Sequence, residues 1–586
     1  MAGQPVTMHR VEYPEDLWAF REFIRRNQRG LGFDLETTGL EIFQPDYRVR
    51  LAQFGNAEES WILPVEQSAG FQAEAVAALG HLAKVFMNNG TFDFLSMDQA
   101  WGVKAETMFP KLVDNRILGH LVDSRGKKDG YGHDLEFMTG RYLCKETAER
   151  VKGSMGGLAK AYKTTKAKIW RIVDLEDPVF NLYAGMDPVL SYRLAMKLGS
   201  MVPTASHRLI PYEHKLAEIC AYMARTGYLL DRDYTKTEAM RLRAQEDFWK
   251  AKALFHGLEN INSPKQVAEA LIGRGIKIKD RTPSGDYKVD KVLLGAHRDD
   301  PLVEAIIEGK RAGKWAKTWF ETFLETADPD GRCHASINSM GARSARMSVT
   351  GIPAQTLPSG DPYVRNCFIA DEGHVTAAVD YKAQELRVAA ALSQDPVMIR
   401  AFLEGADLHQ ITADGARVSR SIGKMTNFLS AYGGGAKALT EQSGLPFREA
   451  AGVIKAFWKT YPGLAKYNEM LSKKAVRYGH VETPVGRRLV VDEDRPYSAL
   501  NYMIQSTSRD VTGSALIRLH EAGYTPFMRL PVHDEAVFSF PAGQAEEMGA
   551  EAARIMRQQM KGVLIDTDLE IAGRSWGSKY EKKEAR

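Results

Sequence analysis

Among 586 residues there are only four cysteines, Cys144, Cys220, Cys333 and Cys367, widely spaced and without a C-x-x-C pair. That scarcity excludes a disulfide framework and a thiolate zinc site, and it suits a reducing compartment. Long apolar runs are missing too. No stretch approaches the ~20 residues that cross a bilayer, so no membrane association is expected. The opening "MAGQPVTMHRVEYPEDLW" has no basic region followed by an apolar core and reaches an acid at Glu12. No secretory or transit segment is expected there, and the expected location is the cytoplasm. Charge of one sign is not in excess: 78 basic against 74 acidic residues leave +4, a balance that permits a nucleic-acid partner without demanding one. There is no fixed-period repeat and no low-complexity tract, so solenoids and disordered arrays are excluded.

What is present is an ordinary globular mixture, 44% hydrophobic and 26% charged. The chain is too long for one core and should divide into roughly three to five units. Through residue 205 strand-like stretches ("LGFDLE", "RVRLAQFG", "SWILPV") alternate with helix-like ones ("AEAVAALGHLAKVF", "VFNLYAGMDPVLSYRLAMKLG"), the pattern of an α/β domain. From Pro211 the texture changes to long charged helices, "EHKLAEICAYMART" and "DYTKTEAMRLRAQEDFWKAKALF". Strand signals return after "DPDGRCHASINS", give way to helices, and come back at "MRLPVHDEAVFSF". The charged tail "KYEKKEAR" reads as a frayed, solvated end.

"FDLETTGL", residues 33–40, sets Asp34 and Glu36 one residue apart at the end of an apolar run. Strand side chains alternate with a period of two, so these carboxylates share a face, and like charges side by side invite a cation. Alone, the pattern is more often the polar edge of a strand. "NNGTFDF" adds Asn89 and Asp93 after the apolar "LAKVF", with Gly90 expected to break the helix. "YAGMDPVL" adds Tyr183 and Asp187, four apart on a predicted helix and so on one face. Each also has an ordinary reading: Asp93 as a helix cap, Tyr183 and Asp187 as a buried hydroxyl beside a surface acid.

Downstream, "HVTAAVDYKAQELRVAAAL" begins as an alternating strand and turns helical after Asp380. "RLPVHDEAVFSF" reads as a tight hairpin with His533, Asp534 and Glu535 at its bend. An acid at a strand end and another at a hairpin bend could grip a metal pair. Between them, in "RSIGKMTNFLSAYGGG", Arg420, Lys424 and Phe428 recur every four residues and form one helical stripe. Two cations there suit a triphosphate and a phenyl ring suits a base or sugar; the alternative is a solvated basic face with one core aromatic.

Taken together, D-x-E, N-x-x-F-D and Y-x-x-x-D in this order resemble the three motifs of the DnaQ-like 3′-to-5′ proofreading exonucleases. "DYKAQELR", "RSIGKMTNFLSAYG" and "VHDE" resemble motifs A, B and C of family A DNA polymerases, the bacterial DNA polymerase I family. That similarity extends to "NINSPKQV", "SARMSVTGIPAQTLP", "DLHQITA", "VETPVGRR" and "NYMIQSTSRD". The resemblance implies a multidomain α/β protein. An RNase H-like exonuclease domain over 1–205 would precede a right-hand polymerase over 206–586, with a helical thumb at about 210–330, an antiparallel palm at about 331–405 and 490–586, and helical fingers at about 406–489. It implies two Mg²⁺ or Mn²⁺ ions per active site, held by Asp34, Glu36, Asp93 and Asp187 in one centre, with Tyr183 orienting the attacking water. In the other they would be held by Asp380, Asp534 and the Tyr381 carbonyl, with Glu535 close by.

Arg420 and Lys424 would grip a dNTP, Lys424 protonating the departing pyrophosphate. Phe428 would lie under the nucleotide sugar, Tyr432 beside the nascent pair and Glu385 at the 2′ position. Arg346, Asn501, Gln505 and His533 would touch the primer-template minor groove, and Asn89 the strand being trimmed. Helicase, primase and single-strand binding protein are expected partners, and the polymerase is expected to be a monomer. The chain leaves no room ahead of its exonuclease motifs for the 5′ nuclease domain of many bacterial members, a compact plan that resembles phage replicative enzymes. Departures from the family pattern are Lys382, Ala383 and Gln384 in motif A, Leu429 after Phe428, and "QSTSRD". A non-catalytic scaffold would show gaps in the carboxylate sets, and there are none; a nuclease that merely holds DNA would not need the Arg420, Lys424 and Phe428 stripe.

Overall fold

The computed structural model describes residues 5–357 and 361–581. In its first part the strand Leu31–Thr37 lies inside a six-stranded sheet. The order across the sheet is Thr7–Arg10, Glu59–Leu63, Val49–Gly55, Leu31–Thr37, Val85–Met87, Leu112–Asp114. It runs antiparallel to Val49–Gly55 and parallel to Val85–Met87. Covered on both sides, it is buried almost throughout.

The helix Pro178–Gly199 crosses one face of this sheet. Its start is set by Pro178 in the first turn and by the Asp177 carboxylate, which accepts the N–H groups of Val179 at 2.9 Å and Phe180 at 3.1 Å, satisfying donors that a helix start leaves open. The helix sits so close that a Cβ on Gly32 would lie 1.8 Å from the Pro188 carbonyl oxygen, and one on Gly55 3.0 Å from the Val189 nitrogen. Only glycine allows that approach.

One expected helix divides. The run through Phe86 is a helix only over Ala69–His81; Val85–Met87 is then a strand, because Val85 and Met87 are buried in the sheet. Gly90 does not break a helix but opens Gly90–Trp101, after Asn89 turns the chain at φ 67°.

The boundary expected at 205 falls just before Leu209–Thr226, a helix shared by both parts. Its Ala221, Tyr222 and Ala224 pack into the core around the first sheet, while Leu216, Ile219, Cys220 and Met223 belong to the core of the second part. A loop leaving Leu31–Thr37 also crosses the junction: Phe43 stacks on His334 at 3.6 Å, and Gln44 Nε2 donates to the Thr326 carbonyl at 3.1 Å.

In the second part, Arg232–Phe255 and Pro301–Trp315 pack against one another within the span where a helical thumb is expected. The palm is an antiparallel sheet of order Met528–Val532, Glu535–Pro541, His374–Tyr381, Thr567–Ile571. The fingers are helical, Leu408–Ala416, Arg420–Ala431, Phe447–Thr460 and Pro462–Tyr478. The long helix Ala499–Glu521 runs beneath, against the palm helix Gln384–Ser393 and the last fingers helix. The tail departs from the sequence reading: Lys579 and Tyr580 are half-buried in a short 3₁₀ turn, and only 582–586 lie outside the described residues.

Two candidate catalytic centres

The first centre forms where the glycine-tightened helix meets the strand. Asp34 and Glu36 project from one face of Leu31–Thr37, and Asp187 reaches them from Pro178–Gly199. Their ligand oxygens all lie within 4.8 Å of one another, with Glu36 and Asp187 buried. Three close hard-oxygen donors fit a divalent ion of the Mg²⁺ or Mn²⁺ kind. Tyr183, one helical turn before Asp187, is half-buried 5.5 Å from the Trp170 ring. Burial, then Asp187, Glu36 and Asp34, push its phenol strongly upward, so it stays protonated.

Asp93 is not one of that trio. Its Oδ1 accepts the Leu35 N–H at 3.2 Å, between the two strand acids, and burial followed by Asp114 and Asp187 raises it to about 8. Asn89 accepts from Arg116 Nη1 at 2.7 Å, and its own N–H donates to Asp114 at 3.0 Å.

The second centre forms at the end of the palm sheet. Asp380, the last residue but one of His374–Tyr381, lies opposite Glu535, the first residue of its partner strand. The bend between the paired strands is His533–Asp534, with His533 exposed and left-handed at φ 58°. Glu535 thus stands in the sheet rather than in the bend. Burial, then Asp534 and Glu535, raise Asp380 to about 7, with Lys579 opposing; burial, then Glu385 and Glu535, also raise Asp534. Glu535 Oε1 is buried without a hydrogen-bond partner. Crowded acids that resist ionisation, with an orphaned oxygen among them, fit a site for cations. The Tyr381 hydroxyl donates to the Met556 carbonyl at 2.8 Å, so its side chain belongs to the core.

Glu385, Phe428, Tyr432, Arg346, His533 and Asp534 line one cavity of about 320 Å³. Glu385 is clamped inside it: Arg346 pairs with one carboxylate oxygen and the Tyr432 hydroxyl donates to the other at 2.7 Å. Ala383, left-handed at φ 48°, makes the turn that puts Glu385 in the first turn of its helix. Phe428 lies 5.8 Å from His409 and 6.3 Å from Tyr432, ring to ring. Arg420 and Lys424 precede it on Arg420–Ala431, a helix started by the Ser419 side chain. Lys424 is exposed, and Arg420 meets Asp407 at 2.5 Å, a partner the sequence reading missed. Gln505 and Asn501 project from Ala499–Glu521; Gln505 pairs with Ser344 at 3.2 Å, and Asn501 Oδ1 is buried without a partner.

The departures have places too. Lys382 pairs with Asp566 and Asp568 at 3.0 Å, and Gln384 donates to Thr512 at 2.9 Å. Leu429 turns into the fingers core, and Gly434 leaves room for it. In "QSTSRD", Arg509 and Asp510 join Glu213 and Arg487 in a buried network of contacts between 2.5 and 3.0 Å. The signal was a charged pair inside an otherwise uncharged helical run.

Comparison with known proteins agrees with this division. The profile described as 3′-5′ exonuclease matches residues 11–203, and that of DNA polymerase family A matches 232–578. The chain is 49% identical over 582 residues to the DNA polymerase of Mycobacterium phage L5, covering 99% of this chain and 98% of that one. It is 48% identical to the DNA polymerase of Mycobacterium phage D29, with the same coverage. The fold resembles a solved POL domain of Pol1 from M. smegmatis, in complex with DNA primer-template and dNTP. There the TM-score is 0.76 at 19% identity, covering 98% of this chain and 100% of that chain.

Proposed function

The chain belongs to DNA polymerase family A and carries a 3′-5′ exonuclease domain ahead of its polymerase region; from that premise we propose that it replicates phage DNA in the host cytoplasm, each centre working with divalent cations. The substrates would be primer-template DNA and dNTPs at the palm, and an unpaired 3′ end at the first sheet. The carrying observation is the convergence of Asp534, Glu385, Phe428 and Tyr432 on one cavity beside Asp380.

In this reading the thumb ends near 330 and the fingers span about 406–489. Asp380 and Asp534 would hold the metals, with the Tyr381 carbonyl as a further ligand. The ions, when bound, would lower the barrier to in-line displacement at phosphorus by neutralising charge on the attacking and leaving oxygens. Phe428 would support the sugar, and Arg420, released from Asp407, would grip the triphosphate with Lys424, which would also give a proton to pyrophosphate. Clamped Glu385 would close the space a 2′-hydroxyl needs, and Tyr432 would bound the new base pair. Arg346, Asn501, Gln505 and His533 would line the minor groove. At the first centre Asp34, Glu36 and Asp187 would hold metal. Protonated Tyr183 would orient water, Asp93 would support the strand and add a ligand on ionising, and Asn89 would touch the trimmed strand. Helicase, primase and single-strand binding protein are the partners this role calls for, with the polymerase itself monomeric.

The test is Asp380→Ala and Asp534→Ala, each assayed for primer extension and for 3′ trimming. Extension should be lost in both and trimming kept. Synthesis retained by either variant would remove that aspartate from the centre.

A further inference from the structure

Lys579 lies in the last turn of the described residues, Gly577–Tyr580, more than forty positions beyond the hairpin acids. The segment that carries it is built in rather than loose. Trp576 is fully buried, and its backbone N–H donates to the Phe368 carbonyl at 2.9 Å. Ser575 Oγ donates to Asn366 at 2.6 Å, and a Cβ on Gly577 would lie 2.0 Å from Asn366 Oδ1. Anchored so, the turn Gly577–Tyr580 delivers the Lys579 ammonium to Glu535 Oε2 in a direct ion pair, with the side chains 12% and 10% exposed. Glu535 is the cross-strand partner of Asp380. The palm therefore holds three acids and a fixed lysine.

We propose that Lys579 is a positioning residue of the polymerase centre: it closes Glu535 into an ion pair, so that the third palm acid does not compete with Asp380 and Asp534 for metal. Oε1 of Glu535 has no hydrogen-bond partner; with Oε2 released as well, the glutamate would carry an uncompensated charge on two available oxygens and draw an incoming cation off the aspartate pair. Lysine suits the task because one compact ammonium saturates one carboxylate oxygen without itself being a ligand. The proposal rests on the polymerase reading given above.

The experiment uses the full chain with Asp34→Ala and Glu36→Ala, which remove the other metal centre. Mn²⁺ binding is measured by electron paramagnetic resonance without DNA or nucleotide, and dNTP incorporation at saturating Mg²⁺ is measured alongside. Lys579→Met should bind Mn²⁺ ~10-fold more tightly, since a charge is gained close to the site, while kcat falls by a similar factor. Lys579→Arg should keep both near the parent values. Adding Glu535→Gln to Lys579→Met should return Mn²⁺ affinity to the parent value, because the exposed charge has gone.

Unaltered Mn²⁺ affinity in Lys579→Met, or a double variant that keeps the tighter binding, would overturn the proposal. Trimming of 3′ ends by Lys579→Met in the exonuclease-intact chain controls for folding. If that variant misfolds, Lys579→Arg decides: loss of kcat together with altered Mn²⁺ affinity in a folded protein would overturn the proposal, and retention of both would support it. Failure of the parent itself to extend a primer would overturn the polymerase reading instead, so the two failures are distinguishable.

Discussion

Phe428 shows what one side chain can decide. Its ring lies half-buried between His409 and Tyr432 on the wall of the palm cavity, and it offers no hydrogen bond to a sugar. A dNTP's own 3′-hydroxyl can satisfy a triphosphate oxygen; a dideoxynucleotide cannot, unless the protein supplies the hydroxyl. Phe428→Tyr should therefore raise the ratio of ddNTP to dNTP incorporation by roughly 10- to 150-fold, the worth of one hydrogen bond to a charged group. An unchanged ratio would mean that the ring does not face the sugar. Glu385→Ala should admit ribonucleotides if, as proposed, the carboxylate held by Arg346 and Tyr432 excludes a 2′-hydroxyl by a clash; single-turnover rNTP incorporation measures it. Phe428 was picked out by its four-residue spacing from Lys424 and Arg420 on a helix, a local pattern, whereas Glu385 was singled out only through the family resemblance. Lys579 was not: its role depends on a Trp576 anchor and on a strand pairing formed across the whole second part.

At the scale of elements, the helix Leu209–Thr226 ties the two parts together, and two features of that junction are testable. Glu213 from this helix is fully buried between Arg487 and Arg509, and although burial alone would raise it, the two arginines pull it to about 2. Glu213→Ala leaves buried cations short of a partner and should cost ~3–5 kcal/mol, read as a lowered midpoint in urea.

Nearby, His120 Nε2 donates to the Ala342 carbonyl at 2.9 Å, bridging the first part to the palm. Burial, then the neighbouring His133, depresses it from 6.5 to about 3. Between those values the unfolded chain binds a proton that the folded one refuses, so stability is full above pH 6.5 and falls as pH drops toward 3. The slope is at most about 1.4 kcal/mol per pH unit. His120→Gln, which keeps an N–H but does not titrate, should lose less stability between pH 7 and pH 5 than the parent; equal losses by thermal unfolding would contradict this. The strands Leu31–Thr37, Val49–Gly55 and Glu59–Leu63 and the helices Pro178–Gly199, Leu209–Thr226 and Arg232–Phe255 were readable from periodicity, whereas Thr567–Ile571 and Ala499–Glu521 were not read as elements. The short strand Val85–Met87 was not, because three apolar residues after a helix read equally well as its continuation.

The whole molecule joins two candidate catalytic centres through a shared helix and the Phe43–His334 contact, each centre with its own acids. The order of motifs along the chain carried that plan, because the acids of each candidate centre fall in short local patterns, D-x-E on a strand and Y-x-x-x-D on a helix for the first, strand ends for the second. The way the parts meet was invisible, since it rests on contacts between residues hundreds of positions apart. Asp34→Ala with Glu36→Ala should accordingly cut 3′ trimming by at least ~10³-fold and leave extension intact, measured on a mismatched and a matched primer. Trimming at the parent rate would dismiss the first centre. The most direct test of the account is a single labelled primer annealed to a longer template and incubated with the parent enzyme and Mg²⁺, with and without dNTPs. The account predicts lengthening to the template end with dNTPs and stepwise shortening from the 3′ end without them. A primer unchanged in either condition would contradict it.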